Sequence, residues 1–461
     1  MNNKSLKLLG LLAGFAMCGG LTAQAQDKAT LDLLVKRGVI SQSDADDVSK
    51  AAATPVMVTA KDSAVKGLKL EGLIQTQFDW LTTSDKAAGA ANPPSMNQFF
   101  VRRAIIGAMA DMGNGWSGEI LFDFAAGAQA PSGYQSNGSN AAQNSLEKVI
   151  VTKKLDDLYA AVTGGFQKVN FDMEEVTSAS AVKPIERAPV TRYFDESYKG
   201  QTNRRLGFAN RHNGLYWDGK VPVVPGLTYG VAVTTGIQNS SGYSPSSGGT
   251  ASTSYEGGLN RYAFWAYGAY AGKMGDFGYK GGINYGYSQD GNSIAAQANS
   301  VMGYNPWVSL TYGKSIQLDA EFLQARVSNG AINGGVTQAA SPYGFIITPS
   351  YKINDQWEIV GRYSILNTNG RGTDIADVVR DGPDITNTTG ASTTAILFDD
   401  VQSFYIGLNW YISGNAVKVQ VGYEYDQFNN RGSATGAVSA SNLTGPRAEV
   451  DGVRARLQIA F

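Results

Sequence analysis

The sequence predicts an all-β protein: a transmembrane antiparallel up-and-down β-barrel of about sixteen strands (range roughly 14 to 18), preceded by a short helical N-terminal periplasmic segment. Three observations lead to this fold class. Apolar and polar side chains alternate along many short segments, short and long connections alternate between those segments, and an apolar leader precedes them all. A membrane barrel needs strands of about 9 to 11 residues with one apolar face, and no long apolar stretch.

The N-terminus predicts secretion. Two lysines precede an apolar run that ends near Leu21, and Ala23-Gln24-Ala25 offers a small-x-small cleavage site. This is the pattern of a signal peptide, with cleavage expected after Ala25, so residues 1–25 are assigned to it. Cys18, the only cysteine, lies inside this leader, and neither disulfides nor thiol chemistry is expected in the mature chain.

The charge balance excludes a nucleic-acid partner. The chain has 38 basic residues, of which Lys4 and Lys7 leave with the leader, against 39 acidic residues. The mature chain is therefore slightly acidic, whereas a nucleic-acid-binding domain carries a strongly basic surface.

Residues 26–66 are predicted to be a periplasmic helical segment and linker. Leu31, Leu34 and Val35 share one helical face, and Ser41 has the position of an N-cap. Such a segment could help to oligomerise or anchor the protein, or it could be a short mobile prefix, and the sequence leaves both open.

Residues 67–461 are predicted to be the barrel domain, because side chains alternate there with period two. Ile74, Phe78 and Trp80, for example, alternate with Gln75, Gln77 and Asp79. The predicted strands are 67–82, 98–112, 116–125, 147–154, 159–168, 205–220, 227–239, 259–272, 276–289, 300–313, 315–328, 341–353, 356–367, 401–414, 416–428 and 450–461.

The connections support a membrane barrel over a soluble sandwich. Tight turns such as Met112-Gly-Asn-Gly115 alternate with long polar stretches such as 169–204, 329–340 and 368–400. Outer-membrane barrels have short periplasmic turns and long outer loops, whereas a sandwich has no reason for such alternation. An even number of strands places both termini in the periplasm.

Several stretches resemble the phosphate-selective porin O/P family of Gram-negative outer membranes. They are Phe100–Ala104, Asp111–Trp116, Leu121–Phe124, Gly164–Lys168, Glu186–Ala188, Tyr405–Tyr411 and Arg456–Phe461. The resemblance covers roughly residues 67–461. It implies a sixteen-stranded, usually trimeric, anion-conducting porin whose lumen arginines and lysines bind phosphate, with a third loop that dips into the lumen.

The expected function is therefore a passive outer-membrane porin, a water-filled channel for small hydrophilic solutes with a bias towards anions, phosphate among them. The expected partners are outer-membrane lipid, small anionic or neutral solutes, and two further copies of the chain in a homotrimer. A structural or adhesive barrel and a barrel-embedded hydrolase are the alternatives, the second less favoured.

The stretch 168–211 is the predicted constriction loop, and its basic residues are candidates for anion contact: Lys183, Arg187, Arg192, Arg204 and Arg205. Rings of basic side chains in a narrow pore select anions. The alternative is a solvated outer loop with scattered ion pairs of little energetic weight.

Strand parity nominates further basic residues that face the lumen: Lys69, Lys280, Arg362, Lys418, Arg454 and Arg456. A basic residue on the lipid side costs about 2–4 kcal/mol at mid-depth. The alternative for each is an ion pair with a lumen acid such as Glu71, Glu358 or Glu424. Parity also predicts that only one of the adjacent Arg102 and Arg103 can point inward.

No catalytic, metal or cofactor site is expected. His212 is the only histidine, in a polar stretch that reads as a strand end or turn, and the sequence has neither a GxSxG nor an HExxH motif.

Overall fold

A computed structural model of the chain describes residues 65–125, 145–196, 205–236, 262–289, 300–333, 336–389, 392–432 and 445–461. The predicted leader, nearly all of the predicted helical segment, and Arg204 lie outside these ranges. Contacts divide the chain after Lys69, and of the first unit only residues 65–69 are described. None of the described helices is long and apolar enough to cross a membrane.

The described chain is predominantly antiparallel β-strand, as predicted. The strands are β1 Gly67–Asp85, β2 Met96–Gly113, β3 Trp116–Asp123, β4 Ser145–Leu155, β5 Ala160–Lys168, β6 Arg211–Lys220, β7 Leu227–Thr235, β8 Tyr262–Met274, β9 Phe277–Ser288, β10 Val301–Tyr312, β11 Ile316–Asn333, β12 Val336–Ala340, β13 Tyr343–Lys352, β14 Trp357–Asn367, β15 Thr386–Thr389, β16 Ser392–Ala395, β17 Phe398–Ser413, β18 Val417–Arg431 and β19 Ala448–Ala460. Three short helices are α1 Met173–Val176, α2 Pro189–Asp195 and α3 Ile375–Val378.

Seventeen of these strands form one sheet that closes on itself. β1 pairs with β19 in a continuous register from Leu73↔Ala460 to Asp85↔Ala448. β12 and β13 both pair with β11 and together occupy one position in the wall, so the barrel has the predicted sixteen positions. Closure leaves no unpaired edge, which lipid could not satisfy.

The tight hairpins that alternate with the long connections, such as those at 114–115, 275–276 and 353–356, lie at one end of the barrel, called here the short-turn end, and the sheet begins and ends there too. At the first of these hairpins Asn114 and Gly115 both have positive φ, the backbone of a tight I′ turn. The alternation of short and long connections follows the prediction.

Three predicted boundaries are wrong. The strand predicted from residue 205 begins at Arg211, because Leu206 and Phe208 pack inside the barrel instead of facing lipid. The stretch 329–340, predicted as a loop, mostly extends the β11–β12 hairpin. The stretch 368–400 contains α3 and the small hairpin of β15 and β16.

Two chain segments fold into the lumen. The first infolded segment, of which residues 169–196 and 205–210 are described, carries α1 and α2; the second, of which residues 368–389 and 392–397 are described, carries α3, β15 and β16. Phe171, Tyr193, Phe194, Phe208 and Ile375 of these segments are fully buried in one apolar cluster with wall residues. Apolar packing therefore holds both segments against the inner wall.

Candidate functional site: the barrel lumen

Glu186 is the central contact of the first infolded segment. Its carboxylate accepts hydrogen bonds from Arg102 at 2.7 and 3.1 Å, from Arg456 at 2.6 Å and from Arg380 at 3.2 Å. Burial opposes its ionisation, but Arg102, Arg456 and Arg380 outweigh that effect and hold the pKa of Glu186 well below its usual range. One carboxylate thus ties together two wall strands and both infolded segments.

Arg362, Arg454 and Arg456 all point inward, as strand parity predicts. Arg362 donates to the backbone oxygen of Glu186 at 2.6 Å and to Glu424 at 3.2 Å. Arg454 contacts Glu424 at 2.7 Å and also pairs with Asp79. These arginines therefore brace the wall and the infolded segment; their contact with a permeating anion stays a prediction.

Lys183 and Lys418 anchor the same segment near the short-turn end. The Lys183 ammonium lies 2.8 Å from Glu358 and 2.9 Å from the Gln317 side chain. Lys418 donates to the backbone oxygen of Val182 at 3.0 Å and is fully buried.

Arg187 folds back onto its own segment, where it lies 2.9 Å from Glu175 and donates to the Thr177 carbonyl at 3.1 Å. Burial alone would raise the pKa of Glu175, but Arg187 and Lys168 bring that pKa down to about 2. Burial with strong charge pairing makes Arg187 a structural contact of the loop.

Arg192 and Arg205 join Arg380 around Glu196, at 3.1, 2.9 and 2.6 Å. Burial lowers the pKa of Arg192 to about 10, although Glu196 partly opposes this. Arg380 belongs to the second infolded segment, so Glu196 links the two segments by charge.

Lys69 and Lys280 differ from these buried residues because both are exposed. Lys280 shares a strand face with the buried Asn284, which places it on the lumen side, and its ammonium lies 5.3 Å from the ring centre of Trp307. Lys69 lies at the start of β1.

Arg102 and Arg103 correct the parity argument, because both reach partners inside the barrel. Arg102 bonds Glu186, and Arg103 donates to Gln75 at 2.7 Å. Phe99 and Ile106 are both strongly exposed although their positions differ in parity. The alternation therefore slips between them, as at a β-bulge, which a fixed period of two cannot anticipate.

A cavity of about 570 Å³ remains between residues 176–180 and the inner wall from β1 to β8. Three basic side chains line it, Lys148, Lys168 and Arg211, together with Glu71, Glu147 and Asp218. None of the three is among the sequence candidates, although Lys168 and Arg211 bound the predicted constriction loop. Val149 and Val151 face outward, so strand parity along β4 is the signal that could have identified Lys148.

Two of the three basic residues of the cavity are clearly more exposed than their acidic partners. Lys148 pairs with Glu119 at 2.8 Å, and their side chains are 34% and 11% exposed. Lys168 pairs with Glu175 at 2.5 Å, with 24% and 8% exposed. Arg211 pairs with Glu147, with nearly equal exposure. Glu119 and Glu175 do not line the cavity, so an ion there meets Lys148 and Lys168 more directly than these two carboxylates.

His212 has the surroundings of a structural residue. Its ring nitrogens lie 3.1 Å from the Thr235 oxygen and 3.2 Å from the Phe208 oxygen, and the ring packs on Trp265. A histidine that serves as the base of a hydrolase hydrogen-bonds a hydroxyl or a water, whereas both ring nitrogens of His212 face backbone oxygens.

Asp172 and Asp195 form a buried acid pair within the first infolded segment. Burial raises the pKa of Asp195 well above its usual range, and the neighbouring Asp172 adds to that rise. Burial also raises the pKa of Asp172, to about 6. Two such carboxyls share a proton more readily than they both ionise.

Solved outer-membrane channels share this architecture at low sequence identity. The channel DcaP of Acinetobacter baumannii has a TM-score of 0.53 and 12% identity over 88% of this chain and 100% of its own. An anion-selective porin from Comamonas acidovorans has a TM-score of 0.52 and 11% identity, over 86% and 99%. OmpF of Salmonella typhi, solved with daunomycin, has a TM-score of 0.52 and 14% identity, over 86% and 98%.

Comparison with known sequences identifies one family. No curated protein sequence matches the chain. The sequence profile of the family described as phosphate-selective porin O and P matches residues 84–461, which is most of the barrel and includes both infolded segments. The protein therefore belongs to the phosphate-selective porin O and P family, and it is a passive channel of the outer membrane.

Proposed function

We propose that small hydrophilic solutes cross the outer membrane through the cavity beside the first infolded segment, with a mild preference for anions. The main supporting observation is that the side chains of Lys148 and Lys168 are more exposed than the carboxylates with which they pair. A pore whose nearest charges are positive lowers the energy of an anion relative to a cation. Inorganic anions, phosphate included, are the expected charged solutes.

The preference is mild because three acids, Glu71, Glu147 and Asp218, line the cavity together with its three basic residues. Glu186 and Glu196 each contact three arginines, and Arg380 is common to both. These contacts brace the two infolded segments and so set the shape of the passage. Arg187→Glu or Arg192→Glu would therefore disturb the loop itself before it changed selectivity.

The test uses two lysines on opposite faces of β4. Lys148 lines the cavity, whereas Lys153 donates to the Asn114 oxygen and lies over the Trp116 ring outside it. At roughly 8 Å in water one charge is worth about 0.5 kcal/mol, so Lys148→Gln should lower the chloride-to-potassium permeability ratio about twofold. Reversal potentials across planar bilayers in a KCl gradient measure this ratio.

Lys153→Gln should leave the ratio unchanged. Equal ratios in Lys148→Gln and the wild type would contradict the proposed source of selectivity. A wild-type protein without ion-conducting steps would contradict channel function altogether.

Cleavage after Ala25 and a homotrimeric assembly complete the proposal. Both are in keeping with membership of an outer-membrane porin family. Mass spectrometry of the mature protein and cross-linking in native membranes test them separately.

A further inference from the structure

The cavity wall has a second kind of chemistry on β6, β7 and β8. Tyr267 lines the cavity, and its hydroxyl donates to Asp218 Oδ1 at 2.8 Å. Its partner on β7 is Gly230, where an added Cβ would lie 2.2 Å from the ring carbon Cε1. The ring therefore lies against bare backbone on one side, and only a glycine permits this. Its other side is available to the cavity.

Uncharged hydrogen-bonding groups surround this ring. Asn170 hydrogen-bonds the Tyr267 hydroxyl and is itself exposed, and Gln167 lines the same space. Ser178 and Ser180 of the first infolded segment line its other side. Amides and hydroxyls both donate and accept, so they match a ligand whose groups do the same.

The Tyr267–Asp218 pair lies far from Arg211, one of the basic residues of the cavity. Asp218 and Arg211 are seven residues apart on β6, about 23 Å at 3.3 Å per residue. An ionised carboxylate only accepts hydrogen bonds, so Asp218 would repel a phosphate but would accept from a hydroxyl. A positively charged amine would find a single acid here, Asp218, because the other polar groups around the ring are uncharged.

We propose that Tyr267, Asp218 and Asn170 form a binding site for neutral polyhydroxylated solutes, that is, sugars of one to three rings. One face of a sugar ring packs on Tyr267, a hydroxyl donates to Asp218, and a further hydroxyl exchanges hydrogen bonds with Asn170. The cavity of about 570 Å³ is in the range that holds small organic ligands. The site rests on the proposed function, since solutes must enter the lumen to reach it.

The test measures single-channel conductance in planar bilayers while maltotriose is added. The wild type should show a conductance decrease that saturates with maltotriose, whereas a polyethylene glycol of equal hydrodynamic size should give a decrease without saturation. Tyr267→Leu should raise the half-saturating concentration about tenfold and Asp218→Asn several-fold. Tyr267→Phe, which keeps the ring, should change it by less than about threefold.

Tyr285→Leu is the matched control, because Tyr285 is exposed on the outer face of β9. It should bind maltotriose as the wild type does, and heat-modifiable gel mobility verifies that each variant folds. Equal behaviour of maltotriose and the glycol, or an unchanged half-saturation in Tyr267→Leu, would overturn the site. Saturable block by spermidine but not by maltotriose would overturn it in favour of a cation site.

Titration calorimetry in detergent separates the site from the channel. Binding of maltotriose by a protein that conducts no ions would support the site and contradict the proposed function. Normal conductance with no heat of binding would contradict the site alone.

Discussion

Neutralising Glu186 should loosen the first infolded segment more than any other single charge change. Glu186→Gln removes the charge shared by Arg102, Arg380 and Arg456, of which Arg102 and Arg456 are buried and Arg380 is half-buried. Breaking a buried ion pair costs about 3–5 kcal/mol. Glutamine keeps one acceptor oxygen, so a cost of about 3 kcal/mol is expected, which is roughly a hundredfold shift from the docked to the released segment.

Conductance reports this shift, because a released segment no longer narrows the lumen. Single channels of Glu186→Gln should show larger mean conductance and more current noise at pH 7. The matched control is Glu449→Gln. Glu449 pairs with Lys86 and Arg447, whose side chains are 39% and 53% exposed, so its loss should cost at most about 1 kcal/mol.

The pH dependence gives a second, independent readout. Because the pKa of Glu186 is depressed in the folded protein, its stabilisation is complete above the ordinary value of 4.5 and is lost as the pH falls through the folded pKa. Wild-type noise should therefore increase only in acid below pH 4.5, and the variant should lack this step. Identical conductance and noise in Glu186→Gln and the wild type at pH 7 would refute the reasoning.

Two further changes probe the fold. Asp195→Asn should be at least as stable as the wild type at pH 8. The pKa of Asp195 is raised in the folded protein, so its ionisation destabilises the folded state as the pH rises above the ordinary value of 3.8. A variant whose thermal midpoint falls more at pH 8 than at pH 5, relative to the wild type, would contradict this. Gly452→Ala should impair barrel closure, since an added Cβ would lie 2.0 Å from the Trp80 oxygen, whereas Gly268→Ala meets nothing within 4 Å and should fold normally. Heat-modifiable gel mobility compares the folded fractions of the two glycine variants, and equal fractions would count against the close approach of β1 and β19.

Much of the barrel follows from local pattern. The odd positions of β1, such as Gln75, Gln77 and Asp79, are buried on the lumen side, and Ile74 and Trp80 face outward. Each residue's face depends only on its neighbours one position away, so the sequence carries this information directly. The exceptions are the slip near Arg102 and the inward turn of 205–210, where packing against the infolded segments overrides the alternation.

The site was less accessible to sequence reasoning. The constriction loop and its basic residues were identifiable from composition, but their partners were not. Glu186 lies 270 positions from Arg456 and 194 from Arg380, and neither distance leaves a trace in the order of residues. Predicted anion contacts such as Arg187 and Arg192 prove to be buried in ion pairs of the loop.

The sequence by itself determined the strands, their two faces and the placement of Arg454 and Arg456 inside the barrel. These properties follow from a period of two and from the cost of charge in lipid. The tertiary structure alone decided which paired basic residues are more exposed than their acids, namely Lys148 and Lys168, and where Tyr267 and Asp218 meet Asn170. Contacts across the lumen decide whether the charge of a basic side chain is neutralised by an acid. Those contacts form only after the barrel has closed and the two segments have folded inward.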